Sequence, residues 1–422
     1  MNFDDTPQEA AFRATVRTWI TENAPHHLAP ELRQAKGTGM VGVHTEDPLA
    51  ASRAWQARKA ASGYACLHWP KEYGGGGFTP MQRVIWLQEE GCYTQLGGLF
   101  SIGHGMCGPT LMGWADEDAK RRLLPPMATG ADIWCQLFSE PAAGSDLAGL
   151  RTSARRTEDG WVVNGQKVWT SAARYARYGI LLARTDPNVP KHKGLTMFYL
   201  DMTSPGIEIR PIRQANGASG FNEVFFSDVC IPDSQRLGHA GQGWEVSLTT
   251  LMNERQSIGA AITTGFDEVF AFACRSGAME SREVRARLAR WAVRDSGLKY
   301  TSMRAITALS RGDVPGPENA IGKLVAGAMK QEIAAFAMDL QGAAGMVTAP
   351  GQAALDAVFQ AILMRAPAMR VEGGSDEILR NVIAERVLGL PGDVRVDKNI
   401  PFNEIPLRGN TAAMKLQKAG RE

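Results

Sequence analysis

The sequence is poor in the features that announce a function outright. Its six cysteines (Cys66, Cys92, Cys107, Cys135, Cys230 and Cys274) form no CxxC pair and keep no zinc-like spacing with histidine. That argues against a metal site and reads as free thiols in a reducing compartment. No apolar run reaches the roughly 18 residues a membrane-spanning helix needs. Charge of one sign is missing too: 46 Lys and Arg stand against 44 Asp and Glu, spread along the chain. No electrostatic footprint for nucleic acid results, and the short basic run Arg151–Arg156 reads as a solvated strand face. The opening Met1-Asn2-Phe3-Asp4-Asp5 is acidic where a secretory signal would be basic, so a cytoplasmic protein is expected. Internal repeats and low-complexity segments are absent.

What is present is ordinary globular material: 422 residues, 44% hydrophobic and 21% charged, enough for two or three domains. Thr6-Pro7-Gln8-Glu9 is a capping box with proline at the first helical position, and Phe12, Val16, Trp19 and Ile20 follow at helical spacing. The same period recurs over 49–62, 80–93 and 116–128, so residues 1–131 are expected to be helical. From 132 to 243 the pattern becomes strand-like, with runs at 179–183, 195–201, 207–212 and 223–226 and the turn dipeptides Asp159-Gly160 and Asn164-Gly165. A barrel or sandwich is expected there. Helical spacing returns over 244–394, with Val284, Leu288 and Trp291 on one stripe and Ile321, Leu324 and Ala328 on another. Residues 395–422 are polar and aperiodic, a tail expected to be disordered or docked on a neighbour.

Element order alone suits many functions. Gly103-His104-Gly105-Met106-Cys107-Gly108 spells GxGxxG, but no strand precedes it, so it is not a dinucleotide site. The informative stretch is Phe138-Ser139-Glu140-Pro141-Ala142-Ala143-Gly144-Ser145-Asp146, followed by Asn164-Gly165-Gln166-Lys167-Val168-Trp169-Thr170-Ser171. These runs resemble the acyl-CoA dehydrogenase family, and the likeness continues through 69–75, 221–232, 341–345 and 375–391, in order, over about residues 1–393.

The resemblance implies an α+β fold with an N-terminal α-helical domain, a middle β-barrel domain and a C-terminal four-helix bundle. It implies FAD as cofactor and α,β-dehydrogenation of an acyl-CoA thioester, as in fatty acid β-oxidation, with hydride passing to flavin N5. It further implies electron-transfer flavoprotein as acceptor and a homotetramer built as a dimer of dimers. Trp169 would be the flat wall of the flavin, with Thr170 and Ser171 beside it and Ser171 near N5. Ser139 and the backbone of Leu137 and Phe138 would meet the pyrimidine edge, with Gly144 close by, and Ser145 would contact the CoA arm. Gln341, Gly342 and Gly345 resemble the segment that approaches the FAD pyrophosphate of a neighbouring subunit; two glycines packing between helices is the plainer reading. Ser375, Asp376 and Glu377 resemble contacts to the same cofactor, with N-capping by Ser375 as the alternative.

The reaction needs a carboxylate facing carbon α and donors for the developing enolate oxygen. Many relatives carry the base seven residues before an arginine that corresponds to Arg380; that position is Gly373, which keeps only its amide. A second branch carries it in a Glu-Arg pair shortly after the β domain, here Glu254-Arg255, with Arg255 toward substrate. Glu254 is the candidate base, and Glu372 on a shifted loop is the alternative. Two competing functions stay open: an oxidase, monooxygenase or desulfinase on the same fold, and a non-catalytic subunit of a heteromeric pair. The identity of the acyl group is not legible.

Overall fold

The computed structural model describes residues 4–34, 47–259, 264–311, 313, 316–349, 351–392 and 397–405. The Arg255 side chain and residues 406–422 of the expected tail lie outside the described residues.

Six helices come first: α1 (Pro7–Asn23), α2 (Ala29–Gln34), α3 (Pro48–Ala61), α4 (Pro80–Glu90), α5 (Gly108–Trp114) and α6 (Glu117–Thr129). The Thr6 side chain caps α1 and Glu9 completes the capping box; Thr79 with Gln82 does the same for α4. Gly103–Cys107, the GxGxxG spelling, is a π-helical turn. Gly108 at its end lets the Trp69 indole pack close, since a Cβ there would come within 2.1 Å of the ring.

Eight strands follow: β1 (Trp134–Leu137), β2 (Ser153–Thr157), β3 (Gly160–Ser171), β4 (Tyr178–Arg184), β5 (Leu195–Asp201), β6 (Ile207–Ile212), β7 (Phe221–Ile231) and β8 (Arg236–Leu237). They form one sheet in the order β6-β7-β3-β2-β4-β5-β8, with β1 added parallel to β4. β4 is buried on both faces: Leu181 and Ala183 enter the core of the β domain, while Ile180 and Leu182 join a core shared with Trp69, Leu123 and Met127 of the helical domain. That double burial is why β4 reads as an unbroken apolar run. Asp159-Gly160 is at the β2–β3 turn, as its composition predicts. Asn164-Gly165 is not a turn. It lies within β3 at a shift of register against β7, where Gly165 takes φ 149° over Thr152 and Asn164 exchanges two 2.9 Å hydrogen bonds with Asp228.

The chain closes with α7 (Gly243–Gly259), α8 (Phe266–Arg275), α9 (Arg282–Ser310), α10 (Ala320–Gln341), α11 (Val358–Met369) and α12 (Asp376–Arg386). Val284, Leu288 and Trp291 enter the core of this domain as their spacing predicts. On α10 the buried face carries Lys323, Ala326, Met329, Lys330 and Ile333, whereas Ile321 is exposed. The helix is apolar nearly all round, so its sequence stripe does not fix which side faces in. α7 is fastened to α5 by a buried Thr110–Thr250 hydroxyl pair at 2.8 Å and by Trp114 Nε1 donating to Thr249 at 3.0 Å. No described helix is long and apolar enough to cross a membrane. The part of the expected tail that is described, residues 397–405, packs on the β domain of its own chain, because Phe402 finds a buried seat there.

Candidate active site

The β side of the site is set by a buried ion pair. Lys167 on β3 is fully buried; its Nζ lies 2.8 Å from Glu140 Oε1 and donates to the Phe138 carbonyl at 2.9 Å. Glu140 also accepts from the backbone N–H groups of Arg151 and Thr152 at 2.6 and 2.9 Å. Burial pushes its carboxyl up, but Lys167 and these hydrogen bonds outweigh that and hold it below the usual range. Burial brings Lys167 down to about 8, against the opposing pull of Glu140. Val168 N donates to the Ser139 carbonyl at 2.9 Å. The segment after β1 is thereby stapled to β3, which fixes Leu137, Phe138 and Ser139.

Immediately beyond Lys167 the β3–β7 register shifts again, and Trp169 takes φ 60°. A bulky residue in left-handed backbone is an outlier, tolerated where the surroundings over-determine it. The bulge turns the indole off the sheet, 57% exposed, with Phe221 edge-on at 6.0 Å. Thr170 behind it is buried, its hydroxyl without a hydrogen-bond partner among the described residues, and Asn222 donates to its carbonyl at 3.0 Å. Ser171 is half-buried.

The helical side meets this wall from α7, α10 and the loop before α12. Gln136 shares a face of β1 with Trp134, the face toward α7. Its Nε2 donates to Glu254 Oε2 at 3.4 Å. Glu254 is half-buried and so lies against the strand that leads into Ser139. Glu372 is held differently: Arg365 reaches both its oxygens at 2.7 Å, and the Arg365 guanidinium stands 5.9 Å from the Phe221 ring. Gly373 and Gly374 take φ 59° and 96°, left-handed backbone that only glycine adopts freely. The Gly373 N–H makes no hydrogen bond among the described residues, while the Gly374 carbonyl accepts from Lys323. Lys323 is buried, which lowers its pKa against the field of Glu372, Asp376 and Glu254.

Trp169, Phe221, Glu254, Lys323, Arg365, Glu372 and Gly373 therefore converge. The other predicted residues fare unevenly. Gly144 and Ser145 are exposed, and a Cβ at Gly144 would meet nothing within 4 Å. Ser375 caps α12 through Ile378 N. Asp376 is turned inward, buried on Arg370 at 2.6 Å, so its carboxylate holds the loop instead of facing open space; Glu377 is exposed. Gln341 donates to the Ala337 carbonyl at 3.0 Å and accepts from Gln360. Gly345 is a packing glycine, since a Cβ would stand 3.0 Å from the Met338 carbonyl, whereas Gly342 at φ 54° is open. Sequence reasoning missed Gln136, Lys323 and Arg365. Only Lys323 leaves a signal, a cation within an otherwise apolar helix.

The residues present fit a flavin. A flat indole stands exposed on a bulge of β3, and the buried Thr170 hydroxyl next to it in the strand has no partner among the described residues.

Compared with known proteins, the chain matches the acyl-CoA dehydrogenase N-terminal domain over residues 6–131, the middle domain over 135–229 and the C-terminal domain over 241–388. It is similar to acyl-CoA dehydrogenase IpdE1 of Mycobacterium tuberculosis (strain ATCC 25618 / H37Rv), 36% identical over 394 residues, covering 91% of this chain and 98% of that protein. Acyl-CoA dehydrogenase FadE34 of the same organism is 38% identical over 339 residues, 80% of this chain but 46% of that longer protein. Among solved structures, the Tcur3481-Tcur3483 steroid ACAD is similar at TM-score 0.78 and 27% identity, covering 93% of this chain and 100% of that one. The ChsE4-ChsE5 complex from Mycobacterium tuberculosis gives TM-score 0.76 at 28% identity, with 93% and 100% covered.

Proposed function

This chain belongs to the acyl-CoA dehydrogenase family and is an oxidoreductase of that family, and from that premise we propose that it dehydrogenates an acyl-CoA thioester with Glu254 as the base. The observation that carries the assignment is the contrast between two carboxylates. Glu372 is tied to Arg365 through both oxygens, and position 373 is a left-handed glycine. Glu254 instead stands on α7 against the β1 strand that leads into Ser139, where Gln136 Nε2 donates to its carboxylate at 3.4 Å.

Trp169 would stack on the flavin ring, with Thr170, Ser171 and the Leu137–Ser139 backbone along its edge. When bound, FAD supplies the acceptor for the hydride that leaves carbon β. Glu254 takes the proton from carbon α. Because that proton is far less acidic than a carboxylic acid, the thioester oxygen needs donors as charge develops, and the Gly373 N–H, which has no partner among the described residues, is suited to this. Ser145, exposed on its loop, binds the CoA arm. Exposed apolar side chains on the helical domain, among them Phe270, Val293, Met346, Val371 and Leu388, favour a multimer. Gln341 and Gly342 at its surface would then face a neighbouring subunit's cofactor. Homotetramer and heteromer are both compatible with this; the likeness to the ChsE4-ChsE5 complex favours the second. Electron-transfer flavoprotein would accept the electrons, in the cytoplasm.

Likeness to a steroid ACAD supports a steroid-derived acyl-CoA as the substrate class. The test is anaerobic titration of the yellow protein with straight-chain acyl-CoAs of graded length and with ring-bearing ones, following flavin absorbance. Bleaching by one group identifies it. A flavin-replete protein that none of them bleaches contradicts the dehydrogenase reading.

A further inference from the structure

Residues 397–405 run across the loop between β4 and β5. Pro401 pairs with Pro190 in an antiparallel bridge, Phe402 N donates to the Val189 carbonyl and Asn403 N to the Pro187 carbonyl, both at 3.0 Å. The Asn403 side chain donates to Asn188 at 3.0 Å. Phe402 is 7% exposed, with the Arg184 guanidinium 3.5 Å from the centre of its ring and that of Arg151 at 5.1 Å. This is a strand-like docking with one aromatic anchor.

Two routes lead from this segment to Ser145. Arg184 is buried and makes no ion pair among the described residues; it donates to the carbonyls of Ala148 at 2.6 Å, Leu150 at 3.1 Å and Lys191 at 3.1 Å. Its guanidinium face is thus left for Phe402, and what it grips is the chain just after Ser145. In the second route Lys191 Nζ bridges Asp146, at 2.9 and 3.1 Å, and Asp397 at 2.6 Å. Asp146 is the neighbour of Ser145. An ammonium shared between a half-exposed carboxylate on the loop and one on the segment ties the two together.

We propose that residues 397–405 are a strap that positions the Ser145 loop for the CoA arm, with Phe402 and Asp397 as positioning residues acting through Arg184 and Lys191. The inference rests on the reading of Ser145 as a CoA contact. The sequence alone leaves residues 395–422 as a polar tail; as a strap, 397–405 is dispensable for flavin but not for substrate binding.

The experiment uses full-length Phe402→Leu, Phe402→Tyr and Asp397→Asn. KM and kcat for a good acyl-CoA are measured together with flavin content and hydrogen exchange over 141–150 and 185–194. Phe402→Leu keeps apolar bulk but loses the ring face, so KM should rise about fivefold to tenfold, the scale of one desolvated cation–π contact. kcat should stay within about twofold and both loops should exchange faster, the exchange signature of local loosening. Phe402→Tyr should restore KM and protection, and Asp397→Asn should fall between. Unchanged KM with unchanged exchange overturns the strap. Faster exchange with unchanged KM leaves the strap holding the loop but overturns Ser145 as the CoA contact, and the proposal with it. Joint loss of kcat and flavin marks a general structural role and also overturns it.

Discussion

The two walls of the site are built on opposite principles. The β wall is closed: Lys167 is wholly buried on Glu140, Val168 is stapled to Ser139, and the bulge at Trp169 follows directly in the same strand. The helical wall is open, with Glu372 partly exposed on Arg365 and a loop hinged on Gly373 and Gly374. Of the large apolar side chains that stand exposed among the described residues, all but Leu87 and Trp169 lie in or after α7. The β wall is completed when the chain folds, whereas the helical wall belongs to a surface that a partner would cover. On the proposed reading the β wall would hold the flavin ring within one chain, and the helical wall should be sensitive to assembly.

The largest effect should come from breaking the closed wall. Lys167→Met strands a buried carboxylate, at a cost of about 3–5 kcal/mol, and should lower Tm and FAD retention together. Replacing both partners, Lys167→Met with Glu140→Leu, should recover much of that stability in a urea titration. An equal loss in single and double variants would show that packing, not charge, closes the wall. Acid sharpens the same point. Folding lowers the Glu140 pKa, so its stabilisation is complete above the ordinary carboxylate value and is lost as pH falls through the folded one. The urea midpoint of the wild type should fall more between pH 7 and 4 than that of Glu140→Gln, which starts lower.

On the open wall the effects should be smaller. Gly374→Ala forces φ 96° on a side chain and should cost about 1–2 kcal/mol, read as a lower Tm with flavin content unchanged. Glu372→Gln weakens only the Arg365 contact and should cost about 1 kcal/mol or less, with flavin reduction changed no more than a few-fold.

The closed wall was also the more legible in sequence. The strand runs, the Asp159-Gly160 turn and the Ser139-to-Ser171 runs all point to it, because strand alternation and turn chemistry are local signals. Asn164-Gly165 misleads because a glycine that serves a bulge is spelled like one that serves a turn. The open wall depends on contacts far apart in the chain. Nothing near Glu254 announces Gln136, and nothing near Phe221 announces Arg365. An apolar helix such as α10 hides its buried face from any periodicity. The strap escapes for the same reason: one phenylalanine in a polar stretch has no pattern until Arg184 is beneath it.

The central claim is that the base stands on α7 against the closed wall and not in the glycine loop. It is tested most directly by stopped-flow reduction of flavin in Glu254→Gln by a good acyl-CoA. The account predicts flavin bound as in the wild type and reduction slowed by about 10² to 10⁴, the usual contribution of a positioned base. Reduction at close to the wild-type rate, with a collapse in Glu372→Gln instead, would contradict it and move the base into the loop before α12.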